Sequence, residues 1–405
     1  MSVQSFVSTS SFASTTSLSS VPSLVTGIEA YMQLHLARYV EELRHLCAID
    51  SGTYYKPGLD EIALYLFSRM GDLGMDTTII ENKEWGNDFY GTVRGNGKGK
   101  LLLLGHIDTV YPVGIAAARP LRVEDDTIYG PGVIDMKGCI LSAVYALEAL
   151  VALNYQSYGE IRFLCVSDEE ISDRHSKETM QKASEGCSAV FVLEAARANG
   201  DIVSARKGGS WYTLKAHGHS AHAGVEPEKG RNAILELAHQ TLQFQSLNGW
   251  RHGLSINPGA ISGGTAVNVV PDYAEVSFDM RFLNKNDKIE TEKLWHKMME
   301  VKRVPDVQLE LEIQPDNREP MVCTEGNLEL ARQAQEIAAY LAFPLNHAFT
   351  GGVSDANYVS SFGYAALDGL GPIGGLDHSP DEYMVKSSIA PRTALLGGLI
   401  ATVSA

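Results

Sequence analysis

The chain has 405 residues, 44% hydrophobic and 20% charged, an ordinary globular composition and more length than one hydrophobic core usually organises, so two domains are expected. Lys and Arg number 33 against 49 Asp and Glu, a net charge of −16, and no basic cluster stands out, which argues against nucleic acid or an anionic membrane as a partner. Five cysteines lie scattered without a CxxC pair and read as thiols in a reducing compartment, so a cytoplasmic location is expected.

Residues 1–27 read as a disordered tail, because the first 26 hold ten Ser and four Thr, no charged side chain and no long apolar run. Apolar residues at helical spacing begin at Ile28 and predict a helix over 28–46. Strands are predicted over 100–105, 160–166 and 189–193, and an Ala- and Leu-filled helix over 138–153. This is the alternation of an α/β layer fold. Leu101 to Leu104 are all Leu, the mark of a parallel strand buried on both faces.

From Gly208 the pattern changes. A strand around Trp211, a helix over 231–244, strands over 259–262 and 273–282, a helix over 287–302 and a strand over 307–313 predict an α+β unit. It would have four strands with two helices on one face. The expected organisation is a mixed-sheet catalytic domain in two parts, 28–208 and 320–405, with the small unit inserted at 209–319 as a lid and dimerisation domain. Helices over 327–341 and 387–402 complete the second part.

Residue types that bind hard and borderline cations sit where these strands and loops end. His106 and Asp108 follow the Leu run, and open α/β sheets gather ligands at that carboxyl edge. Side chains at i and i+2 of an extended chain point the same way, so Asp108 is expected to orient the His106 ring by accepting its second N–H. Asp135 follows the tight YGPG turn, where an isolated Asp would read as a helix N-cap. Asp168, Glu169 and Glu170 end a strand as three adjacent like charges, which a cation would relieve. Glu194 ends another strand, and His378 lies in a Gly-rich loop before the last helix. Two His, a shareable Asp, two Glu and one spare Glu match the stoichiometry of a two-metal hydrolase.

The segments GHIDTV, YGPGVIDMKG, DEE, LEAAR, GHSAHAG, NVVPD, DMRF, GGVSDA and HSPDEY occur in order across residues 28–405. In this the chain resembles the di-zinc metallopeptidase family of carboxypeptidases, dipeptidases and aminoacylases, and VYPVGIAAARPLRVEDDTIYGPG is most similar to its glutamate carboxypeptidases. The resemblance implies two Zn2+ per chain, with Co2+ or Mn2+ as substitutes. Asp135 would bridge, His106 and Glu194 would complete one site, and Glu170 and His378 the other. Glu169 would be the general base, and the Asp135–Met136 peptide bond would be cis.

The same resemblance implies an oxyanion-stabilising imidazole at His222, with His219 as its rival, acting on the neighbouring subunit's site in a homodimer joined through the inserted domain. It assigns substrate contacts to Arg281, Asn268 and Arg318, with Lys207 and Gly352 as weaker candidates. Arg suits a substrate carboxylate because its planar fork gives paired hydrogen bonds. The implied activity is hydrolysis of the amide bond to a C-terminal amino acid, glutamate first, in a small peptide or N-acyl amino acid. An aminoacylase or dipeptidase is the alternative on the same fold. An inactive peptide-binding protein is a third reading, opposed by the presence of the base and all five ligands. Ala195–Ala196–Arg197 after Glu194 and Ala356–Asn357–Tyr358 after Asp355 depart from the glutamate carboxypeptidase pattern and bear on the substrate alone.

Overall fold

A computed structural model describes residues 21–403. Its main sheet runs in the order Asp76–Ile80, Asp88–Arg94, Glu160–Val166, Lys100–His106, Ala189–Val192, Ala366–Leu367. The first two pairings are antiparallel and the last three parallel, so the sheet is mixed. Strand periodicity divides its core. Leu101, Leu103, Ile161, Phe163 and Phe191 face the layer formed by helices Val21–Cys47, Lys56–Gly71, Gly138–Ala152, Glu325–Tyr340 and Ile389–Val403. Leu102, Leu104, Leu164 and Val192 face the shorter helices Lys177–Ser184 and Asp355–Ser361. Each of these buried Leu or Phe side chains contributes about 1.5–3 kcal/mol of transfer free energy.

The first helix corrects the expected tail. It begins at Val21 rather than Ile28, and the rest of that segment lies outside the described residues. Leu24, Val25 and Ile28 are fully buried at helical spacing against the last helix. The crossing is close: a Cβ on Gly397 would lie 2.6 Å from Ile28 Cδ1, and one on Gly398 2.7 Å from Val25 Cγ2. An Ala at either glycine would require Ile28, Val25 or Ile337 to shift.

Residues 208–318 hold a separate four-stranded sheet, ordered Ser255–Gly263, Tyr273–Phe282, Gly208–His217, Gln308–Arg318, with every neighbouring pair antiparallel. Helices Ala233–Gln245 and Lys285–Met299 pack on it around Trp295, which stacks on Phe244 at 4.5 Å between ring centroids. The final strand runs five residues beyond its expected end. After an irregularity between Ile313 and Asn317 it pairs Arg318 with Gly209. That extension carries Arg318 back towards the main sheet. Among the described residues no helix is long and apolar enough to cross a membrane.

Candidate metal centre

His106 is the last residue of its strand, at the carboxyl edge of the sheet. Its Nε2 lies 3.1 Å from Asp135 Oδ1 and 3.8 Å from Glu194 Oε1. The other Asp135 oxygen, Oδ2, lies 3.1 Å from Nε2 of His378, which is 3.3 Å from Glu170 Oε2. All five expected ligands therefore converge, with Asp135 offering one oxygen to each imidazole. His378 reaches in from a left-handed conformation at φ 62, and the Asp135–Met136 peptide bond is cis. Sequence reading missed Asp377, whose carboxylate lies within 4.8 Å of Asp135 and His378 and is exposed. Its position next to His378 was the available signal.

Asp108 is buried beneath these groups. The nearest acceptor for His106 Nδ1 is the main-chain carbonyl of Asp108 at 3.0 Å, and the carboxylate expected in that role stands at 3.3 Å. That carboxylate chiefly collects the Thr53 hydroxyl at 2.7 Å and the Glu169 and Glu170 N–H groups at 3.2 and 3.1 Å. It thus fixes the acidic turn to the His106 strand.

Charge crowding is severe. Hydrogen bonds to Asp135 and Glu170 push the His378 imidazole up to about 11, and burial pushes Glu170 up to about 8 against the pull of His378. Burial and then the Asp135 charge push Glu194 well above the carboxylate range. Groups in this state hold protons that a divalent cation would displace. Glu170 Oε1 is buried with no hydrogen-bond partner. Two imidazole nitrogens, two carboxylates around a shared Asp and an orphaned buried oxygen fit a pair of divalent cations.

Arg318 departs from its expected role. It is 3% exposed, donates from Nη1 to Glu169 Oε1 at 2.6 Å, and donates from Nη2 to the Glu169 carbonyl at 2.9 Å and to Asp173 Oδ2 at 3.0 Å. Its fork is committed to the candidate base, because the strand extension aims it there. Burial raises the Glu169 carboxyl, but the charge and hydrogen bond of Arg318 outweigh it, so the group is held below its ordinary value. Asp173 and Asp355 complete a second buried acidic group with Glu169, all within 4.8 Å, that sequence reading did not single out.

The hydrogen bonds of the remaining expected contacts go to residues other than the ligands. Arg281 gives its fork to Asp279 at 2.7 and 2.8 Å and packs beside Gly209 and Val353. Lys207 N–H donates to Thr350 at 3.0 Å, and Gly352 O accepts from Arg206 at 3.2 Å, so both belong to the junction where the chain enters the small sheet. His222 is exposed, with Nδ1 accepting from the Gly224 N–H at 3.1 Å. Asn268 is its neighbour, through Ala223 N–H to Asn268 O at 3.0 Å and the short pairing of Ala221–His222 with Val269–Val270. His219 sits in the same region, bridged to Arg231.

Residues 102–402 match the family model described as peptidase family M20/M25/M40. Carboxypeptidase G2 of a Pseudomonas species is 28% identical over 360 residues, covering 87% of this chain and 86% of that protein. Succinyl-diaminopimelate desuccinylase of Alkalilimnicola ehrlichii is 27% identical over 353 residues, covering 83% and 92%. Among solved structures, a tripeptidase from Staphylococcus aureus superposes with a TM-score of 0.79 at 22% identity, covering 91% of this chain and 98% of that one. An M20 family metallo-carboxypeptidase from Sulfolobus solfataricus gives 0.73 at 16%, covering 90% and 99%.

Proposed function

Because the chain belongs to peptidase family M20/M25/M40 and is therefore a hydrolase, we propose that it is a metal-dependent exopeptidase releasing a C-terminal amino acid, glutamate first. The observation that carries the reading is Asp135, one carboxylate shared between His106 and His378 with Glu169 close by. His106, Asp135 and Glu194 would hold one cation, and Asp135, Glu170 and His378 the other, with zinc the first choice for such donors. Bound cations supply Lewis acidity towards the scissile carbonyl and acidify water.

Glu169 enters the reaction ionised, since Arg318 keeps its proton affinity low. Arg318 occupies Oε1, which leaves Oε2 to take the proton of the attacking water and pass it to the leaving amine. Arg281 and Asn268 would hold the substrate carboxylate, with Arg281 exchanging Asp279 for it. His222, exposed in its own chain, would stabilise the oxyanion in the partner site of a homodimer.

Carboxypeptidase G2 among the relatives supports release of a C-terminal residue, and glutamate is the residue that the sequence resemblance implies. The desuccinylases favour a second reading, removal of an acyl group from an amino acid, which uses the same machinery. A release assay on zinc-loaded protein separates them. The expected result is the highest kcat/KM on substrates ending in free glutamate; higher kcat/KM on N-succinyl substrates, or equal cleavage of C-terminal amides, would overturn the exopeptidase reading.

A further inference from the structure

Glu382 is 2% exposed, yet its carboxylate carries four hydrogen bonds, all from neutral donors. Oε1 accepts from the N–H groups of Ile134 at 2.9 Å and Asp135 at 3.1 Å, and Oε2 from the Gly132 N–H at 2.9 Å and the Tyr111 hydroxyl at 2.8 Å. The loop that turns Asp135 inwards is thereby wrapped around one side chain from the far end of the sequence. Strand pairing places it there, since Tyr383–Val385 runs antiparallel to Thr127–Tyr129 immediately before that loop.

The Tyr111 hydroxyl also lies 2.8 Å from the Ser379 carbonyl. Ser379 closes the turn that bears His378, through its N–H at 3.1 Å and its Oγ at 2.6 Å to Leu376 O. Tyr111 itself lies five residues beyond His106, with Arg119 over its ring at 4.6 Å. The segments carrying His106, Asp135 and His378 therefore meet at this one pair of side chains.

We propose that Glu382 and Tyr111 are positioning residues that hold these three segments in one register, so that Asp135 presents an oxygen to each imidazole. The proposal rests on the reading of His106, Asp135 and His378 as metal ligands. Groups that orient ligands without touching the metal typically change its affinity by about 10- to 100-fold when removed. In Glu382→Gln the amide nitrogen must face at least one backbone N–H, whichever way the side chain turns.

The test is titration of apo full-length protein with Co2+, followed by its visible absorption, with circular dichroism to verify the fold. Wild type should bind about two ions. Glu382→Gln should weaken at least one of them by about 10- to 100-fold and alter the cobalt spectrum. Tyr111→Phe, which removes one hydroxyl and nothing else, should weaken binding by a smaller factor and remains informative if Glu382→Gln does not fold. The double variant should lose less than the product of the two single losses, since the two residues share one hydrogen bond while each keeps contacts of its own. At saturating metal, kcat should fall with KM little changed. Wild-type affinity and spectrum in a folded variant of each residue would overturn the positioning role, whereas a wild type that binds no cobalt would overturn the ligand reading beneath it.

Discussion

Arg318 donates to Glu169 Oε1 at 2.6 Å, so the arginine expected to read a substrate carboxylate is engaged with the candidate general base. Arg318→Ala should lower kcat far more than it raises KM. It should also move the acidic limb of the kcat/KM profile upward by about 1–3 pH units, because an opposite charge that favoured the ionised carboxylate is gone. Stability should fall too, by about 3–5 kcal/mol, since Glu169 and Asp173 lose a buried partner. A large rise in KM with an unmoved limb would return Arg318 to substrate binding.

Glu169→Gln should keep metal content and fold while turnover drops by orders of magnitude, because an amide cannot take the water's proton. Asp135→Ala should behave oppositely and strip metal from both sites, since its two oxygens face His106 and His378. Elemental analysis beside single-turnover rates separates the two. Near-normal turnover in Glu169→Gln would shift the base to Asp168 or Glu170.

Much of this was legible because local chemistry and fold agree. The Leu101–Leu104 run had to be a buried strand, and its end had to bear His106. The start of the first helix was hidden because Ser and Thr dilute the Val21, Leu24, Val25, Ile28 stripe, whose partners Gly397 and Gly398 are remote in sequence. The direction of Arg318 was hidden for another reason. It depends on the irregular pairing after Ile313, which strand periodicity cannot reveal. Glu382 sits in a motif noted for His378, but its four donors come from segments some 250 residues away.

Asp88 offers a stability test separate from the metal. It is 6% exposed and accepts hydrogen bonds from the Ser167 N–H at 3.0 Å, Ser167 Oγ at 2.9 Å and Ser176 Oγ at 3.1 Å. Burial first, and the Asp168 charge second, push its carboxyl up to about 7. The folded state then binds this proton more tightly than the unfolded chain, whose Asp titrates near about 3.9. The contribution is fully present below pH ~4 and is lost as pH rises through about 7. Asp88→Asn should therefore lose less stability than wild type between these limits, by an amount on the order of 1 kcal/mol or more. Urea midpoints at pH 4, 5.5 and 7 measure it, and parallel curves for the two proteins would refute the assignment.

His222 poses the assembly question. It is exposed in its own chain, and its hydrogen bond and strand pairing are to the Gly224 and Val269 segments and not to the ligands around Asp135. A residue proposed to stabilise an oxyanion while standing outside its own cluster can act by closure of the small unit or by serving another subunit. The small unit offers an edge for pairing, since strand Ser255–Gly263 is the outer strand of its sheet and Ile261 on it is 63% exposed. Mixing distinguishes the two routes. His222→Ala and Glu169→Gln proteins should each be inactive alone. If His222 serves the partner's site, a mixed dimer places both defects in one site and leaves the other intact, so activity should reach up to about one quarter of wild type per total site at statistical exchange. Closure within one chain predicts no recovery, because every site in every dimer then carries one defect. Subunit exchange is verified with differently tagged chains, and absence of rescue among verified mixed dimers would assign His222 to its own chain or remove it from the reaction.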